Sequence, residues 1–168
     1  MPSSIAHGLT AAAIGTSFFP VERPRRVIAI ATVGAVLLDV DAIGRPFGLG
    51  DLAFVGGHRA LTHSLAFALF LSSVIVAGVY RGTTSQSHQI RIWFCLSLAF
   101  IAHGVLDAFT TYGEGVMFFA PFTAERFKSP WLPIRRVLPE IVGVWLPMVC
   151  LISYHRWRAR SLSAARVP

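Results

Sequence analysis

The sequence predicts an all-α, polytopic membrane protein of about five membrane segments packed as a single helical bundle. Three observations predict it. Hydrophobic residues make up 54% of the 168 residues and charged residues only 14%, where a soluble domain carries about 25% charged residues. Mean hydropathy is +0.62. The apolar residues are gathered into long blocks with short basic clusters between them, a pattern that a soluble core does not need.

The blocks lie at 5–19, 27–38, 61–80, 90–109 and 141–154. A full crossing needs roughly 20 residues, so the third and fourth blocks predict complete spans. The other three are short; they gain length from their flanks, thin the bilayer or cross only in part, and the second is the least secure as a span. The connections fit this count. Residues 20–26 form a tight basic turn between Pro20 and Pro24, and 81–88 form a polar turn. The glycine-rich stretch 42–57 reads as a loop. Residues 114–140, with four prolines, read as a second long connection with a short interfacial helix at 124–127.

Charge orients the bundle. With five spans, one side receives Arg23, Arg25, Arg26, Arg81, Arg91, Arg156, Arg158, Arg160 and Arg166 against the single acid Glu22. The other receives Arg45, Arg59, Arg126, Lys128, Arg135 and Arg136 with the remaining acids. Cytoplasmic loops are enriched in Lys and Arg. The N-terminus is therefore expected outside and the C-terminus inside, with a membrane domain over 1–155 and a basic cytoplasmic tail over 156–168. The net charge of +7 is explained by this topological bias and implies no nucleic-acid partner. Cys95 and Cys150 each sit within an apolar block without a CxxC partner and read as buried apolar fillers. No Lys or Arg precedes the first block, so it reads as a retained segment rather than a signal peptide.

The histidines and aspartates sort onto this topology without having been used to build it. His7, Asp39, Asp41, His58, His63, His103 and Asp107 all fall at the outer end of their segments, while His88 and His155 fall at the other. Ionisable groups in a membrane segment cost about 2.5–3.5 kcal/mol on insertion scales and usually pair or bind something. His103 and Asp107 share one helical face a turn apart, so both can reach a common ion at roughly 2.0–2.2 Å; a His–Asp hydrogen bond between helices is the alternative. Asp39 and Asp41 end the second block. Two carboxylates at a helix C-terminus oppose its dipole, so a cation, either a metal or Arg59, should offset them. Either carboxylate is a ligand or the orienting partner of a ligating imidazole. His58 and His63 flank the start of the third helix, with Thr62 as its predicted N-cap. Arg59 either holds a phosphate or carboxylate or pairs with Asp39, Asp41 or Asp51. Ser64 lacks the G-x-S-x-G surroundings of a nucleophile. Imidazole and carboxylate without thiolate suit Zn²⁺, with Mn²⁺ or Fe²⁺ as alternatives, and the number of groups allows one to three ions.

The run Asp39-x-Asp41, then His58-Arg59-x-x-Thr62-His63-Ser64, then His103-x-x-x-Asp107-x-x-Thr110-x-x-Gly113, resembles the YdjM-like family of inner-membrane metal-dependent hydrolases. His7 matches that family's N-terminal histidine, and Pro121-Phe122 also fits. The resemblance spans residues 5–125. The His-x-x-x-Asp spacing is also similar, at greater distance, to zinc-dependent phospholipases C. One departure is the 42–57 loop, whose only acid is Asp51. The resemblance implies a bacterial inner-membrane metal-dependent hydrolase and names no substrate. The position of the cluster at the bilayer edge favours an amphiphile, so the expected reaction is attack of metal-activated water on a phosphoester, or on another ester or an amide, of a lipid-like substrate. His7, Asp41, His58, His63, His103 and Asp107 would ligate metal, Asp39 would act as base or orienting group, and Arg59 would hold the phosphate. Two other readings use the same cluster: a transporter or metal-binding membrane protein, and a purely structural His–Asp core. The apolar mid-segments 66–77 and 142–152 offer no conduction path beyond Ser72 and Ser73.

Overall fold

The computed structural model describes residues 3–20, 24–42, 57–111, 113–131, 134 and 136–164. Among these residues the chain is helical, with no strand beyond two isolated bridges. Asp51, Glu22, Arg23, Arg45, Arg135 and Arg166 lie outside the described residues, as does most of the 42–57 loop.

Helix α1 (Ser4–Phe18) opens on Ser3, whose hydroxyl accepts from the Ala6 amide. Helix α2 (Arg25–Leu37) follows Pro24 and ends in a 3₁₀ turn, Leu38–Ala42, that carries Asp39 and Asp41. A second 3₁₀ turn, Leu61–His63, leads into α3 (Leu65–Ile75), which is prolonged by a π-helical turn, Val76–Tyr80. Helix α4 (Gln86–Ala108) is the long central rod. A short α5 (Val137–Glu140), a π-helical turn (Ile141–Trp145) and α6 (Leu146–Ala164) form the last rod.

These rods alternate in direction. His7, Asp39, His63 and Asp107 meet at one end of the bundle, and Arg26 lies over the Tyr80 ring at the other. At that second end Arg91 donates to the Phe18 carbonyl and lies over the Phe19 ring, closing the C-terminus of α1. Helix α1 packs on α2, α4 and α6, and α4 on α1, α2 and α3. The seam is made of small residues: Ala11, Ala31, Ala35 and Ala99 are buried between the helices with Phe100 and Leu96. Gly34 shows why. A Cβ there would sit 2.7 Å from the Phe100 ring, so only glycine lets α2 approach α4 this closely.

Among the described residues, two segments are long and apolar enough to cross a membrane, Gln86–Ala108 and Val137–Leu162. At 1.5 Å per residue they measure about 35 and 39 Å, against a hydrocarbon core of about 30 Å. Length was misjudged for two blocks. The third, expected to span fully, gives the shorter helix Leu65–Tyr80, because its first three residues turn away to build the site. The fifth, expected to be short, extends in both directions past its apolar run and through Arg156, Arg158 and Arg160.

Three local expectations are corrected. Ser64, not Thr62, caps α3, accepting from the Phe67 amide at 3.1 Å. Residues 124–127 are extended rather than helical, because Phe127 pairs with Val116. Cys95 is buried as expected, but Cys150 lies on the outer face of α6.

Candidate metal centre

Four elements bring the site together. The last turns of α4 supply His103 and Asp107, the turn after α2 supplies Asp39 and Asp41, the turn before α3 supplies Thr62 and His63, and α1 supplies His7. All of these side chains are buried except that of Asp39, which is 16% exposed. The structure thus brings His7, Asp39, Asp41, His58, Arg59, His63, His103 and Asp107 together at one end of the bundle.

The inner group has four atoms. His63 Nε2 lies 3.0 Å from His103 Nε2, 3.4 Å from Asp39 Oδ1 and 3.3 Å from Asp107 Oδ2. His103 Nε2 lies 3.4 Å from the same Asp39 oxygen and 3.9 Å from the same Asp107 oxygen. Ligand atoms placed tetrahedrally at roughly 2.1 Å from a zinc-like cation are about 3.4 Å from one another. Three of these five edges match that spacing, at 3.3, 3.4 and 3.4 Å, and the other two, at 3.0 and 3.9 Å, fall on either side of it. Several polar atoms here are buried without a hydrogen bond: both ring nitrogens of His7, His103 Nδ1, Asp39 Oδ1 and Asp107 Oδ2. Buried polar atoms are nearly always satisfied, and a cation at the centre of the group would satisfy the two carboxylate oxygens. The residues present fit a metal.

A neighbouring group supports the first. Asp41 Oδ1 accepts from His58 Nδ1 at 2.7 Å, and its other oxygen accepts from the Thr62 hydroxyl. With its one proton given to Asp41, the Thr62 oxygen accepts from His63 Nδ1 at 2.9 Å. That relay fixes the His63 ring and aims Nε2 at the four-atom group, as second partners of metal-binding histidines do. Asp41, His58 and His63 also lie close enough together to hold an ion themselves. His7 stacks on His103, with ring centroids 3.7 Å apart, and its Nε2 is 3.7 Å from Asp107 Oδ1.

Arg59 takes none of the partners expected for it that fall within the described residues. Its Nη2 donates to Asp107 Oδ1 at 2.9 Å and lies 3.4 Å from the Thr110 hydroxyl. By occupying one Asp107 oxygen it leaves the other facing His63. The histidines, not Arg59, stand against Asp39 and Asp41 and offset the helix dipole there. Arg59 has φ +63°, a conformation that costs a side chain energy and that neighbouring structure must hold. The Met117 amide donates to its carbonyl at 2.9 Å, and the guanidinium lies against Gly113, where a Cβ would be 2.9 Å from Nη1. Gly113 itself has φ +73°. The motif's arginine and glycine are thus one packing unit.

Electrostatics of the turns follow from this geometry. Burial acts to lower the basicity of His63, but the nearby carboxylates of Asp107, Asp39 and Asp41 outweigh it and raise the pKa to about 10. Burial acts to raise the Asp39 and Asp41 pKa values, yet the imidazoles of His103 and His63 beside Asp39, and His58, His63 and Thr62 beside Asp41, hold both carboxyls well below the usual range. The site concentrates negative charge that a proton on His63 partly balances.

One feature escaped the sequence reading. Glu140 is buried, accepts from the Ser3 amide at 2.8 Å, from the Ser3 hydroxyl and from Trp145 Nε1 at 2.9 Å. It ties the start of α1 to the last rod at the site end. The only signal was an acid beside an apolar block.

The family model described as YdjM inner membrane protein matches residues 1–166. Inner membrane protein YbcI of Escherichia coli (strain K12) is 31% identical over 176 residues, covering 95% of this chain and all of that protein. No solved structure matches the chain. The chain therefore belongs to the YdjM family of inner membrane proteins.

Proposed function

We propose that the protein is a membrane-bound metal-dependent hydrolase that cleaves a phosphoester of a lipid-like substrate. The observation that carries this reading is the four-atom group of Asp39, His63, His103 and Asp107, whose edges of 3.0–3.9 Å lie around the spacing of tetrahedral coordination. A divalent cation held there, zinc by preference, supplies a water acidified toward neutral pH and positive charge for a phosphoryl oxygen.

The chain's own residues divide the remaining work. Asp39, which the sequence suggested as base or orienting group, takes a ligand's place; a carboxyl held so far below its usual range suits a ligand better than a proton acceptor. Asp41, expected as a ligand, orients His58 and His63. Arg59, expected on the substrate phosphate, positions Asp107 instead. Asp39 is the group of the four reached from solvent, so substrate approaches across it. The basic residues at the opposite end of the bundle support the expectation that this end is cytoplasmic and the site lies at the outer face, where an amphiphile presents its head group. On this topology all five rods traverse the bilayer, the short ones sheltered by their neighbours.

Elemental analysis of the detergent-purified full chain, wild type beside His103→Ala, tests the metal. Hydrolysis of phospholipid before and after chelation tests the reaction. Stoichiometric metal lost in His103→Ala, with chelator-sensitive hydrolysis, is the expected result. Bound metal without hydrolysis, together with uptake of labelled metal into proteoliposomes, would support transport instead. A metal-free, well-folded protein would leave only a structural His–Asp core.

A further inference from the structure

A second site lies away from the metal cluster and does not depend on the hydrolase reading. A cleft of about 760 Å³ runs between α2 and α6 over the surface of α1. Leu9, Ile28, Val33, Val149 and Ile152 line its length, and Arg25 and Arg156 line it toward the end where α2 begins. It exists because α6 packs on α1 and leaves α2 uncovered on that side.

The cleft's polarity is sharply divided. Thr16 and Thr32 lie in its wall, but Thr16 gives its hydroxyl proton to the Ala12 carbonyl at 2.7 Å and Thr32 to the Ile28 carbonyl at 2.8 Å. Their hydroxyl protons stay within their own helices, and apart from Ser153 the wall between the arginines and Leu9 offers hydrocarbon. Arg25 and Arg156 are exposed at the end where α2 begins. From Arg25 to Val33 the cleft runs about 12 Å along α2, room for a length of acyl chain. Arg25 opens α2 and Asp39 follows its end, so the arginines lie about 20 Å from the metal site along that helix.

We infer that this cleft is a binding site for an anionic phospholipid, with an acyl chain laid along α1 between α2 and α6 and the phosphate held by Arg25 and Arg156. The charge complements the ligand. Guanidinium pairs with phosphate through directed hydrogen bonds, and basic pockets between membrane helices take acidic head groups. The apolar length separates this ligand from a free phosphate, which would use the arginines alone.

Native mass spectrometry of the detergent-purified full chain tests this, with phosphatidylglycerol and phosphatidylcholine of matched chains as probes and inorganic phosphate as a third. Wild type should retain phosphatidylglycerol over phosphatidylcholine. Arg25→Gln with Arg156→Gln should reduce that preference roughly thirtyfold, the worth of two basic residues at a lipid surface. Ala29→Phe, which fills the cleft wall, should reduce retention of both lipids while metal content and helicity stay unchanged. The control Arg158→Gln with Arg160→Gln removes the same charge outside the cleft. Equal retention of the two lipids by wild type, an equal effect of the control pair, inorganic phosphate binding as well as lipid, or a dimer cross-linked through Val33 and Val149 would each overturn the inference.

Discussion

Replacing Asp107 by asparagine removes one corner of the four-atom group and, at the same stroke, the partner of a buried guanidinium. Two separable losses follow. Arg59 is only 2% exposed and its Nη2 lies 2.9 Å from Asp107 Oδ1. Breaking a buried ion pair from one side costs about 3–5 kcal/mol, because the surviving charge is left without compensation. Metal affinity falls as well. Loss of an orienting partner alone typically costs about 10–100-fold, so loss of an anionic ligand should cost at least about 100-fold. Pairing Asp107→Asn with Arg59→Met distinguishes the two effects, since removing both charges from a buried pair is often nearly neutral. The double variant should regain most of the thermal stability lost by Asp107→Asn, yet remain depleted of metal. Thermal unfolding in detergent and metal content by elemental analysis read the two axes independently. Stoichiometric metal in Asp107→Asn would refute the assignment of its carboxylate to the group. Failure of Arg59→Met to restore stability would refute the claim that Arg59 and Asp107 act as a pair.

Three further outcomes are expected. Gly113→Ala places a Cβ 2.9 Å from Arg59 Nη1 at a backbone angle of +73°; it should cost about 1–3 kcal/mol and lower metal retention although it touches no ligand, and a fully metal-loaded, unchanged variant would sink the packing argument. Ser64→Ala removes the cap of α3 at a cost of about 1 kcal/mol, visible as a lower melting temperature, while hydrolysis persists; abolished turnover in a folded Ser64→Ala protein would make Ser64 chemical rather than structural. Finally, the metal-free protein should lose stability as pH rises. The His63 pKa is raised from 6.5 to about 10, so its contribution is complete below about pH 6.5 and disappears as pH climbs through 10. Metal should restore stability at the alkaline end by replacing the proton, and a pH-independent melting curve of the metal-free protein from 6.5 to 10 would contradict this.

How much of this was legible beforehand depends on range. The helical blocks were readable because burial in a bundle or in lipid demands apolar runs whatever their partners. The pairing of His103 with Asp107 was readable because a helix sets residues four apart on one face. The grouping of distant residues at one bundle end was readable from alternation alone: each crossing reverses direction, so ends of alternate segments meet. The expected membership of the cluster followed from that, and the structure brings those residues within a few ångströms of one another. Roles were less legible. Whether Asp39 or Asp41 faces the inner group depends on a 3₁₀ turn that sends two carboxylates two residues apart to different neighbours. The partner of Arg59 depends on a left-handed backbone at Arg59 and on the absence of a side chain at Gly113, neither of which has a local signature in the residues around Arg59. The lengths of the third and fifth helices were misjudged because polarity, used to mark their ends, is not what ends them: Ser64 starts α3 by capping it, and α6 runs on through arginines at its basic end.

The sequence by itself determined the membrane class, the helical character, the family and the set of ionisable residues gathered at one end, since each follows from composition, spacing and direction of travel. Only the tertiary structure decided which oxygen faces which nitrogen, that Arg59 holds Asp107, and that α2 and α6 part to leave a cleft. The physical reason is one of scale. Hydrophobic burial is non-directional and can be read from a one-dimensional pattern. Coordination and hydrogen bonding turn on differences of a few tenths of an ångström, and those are set by how several helices and turns pack at once.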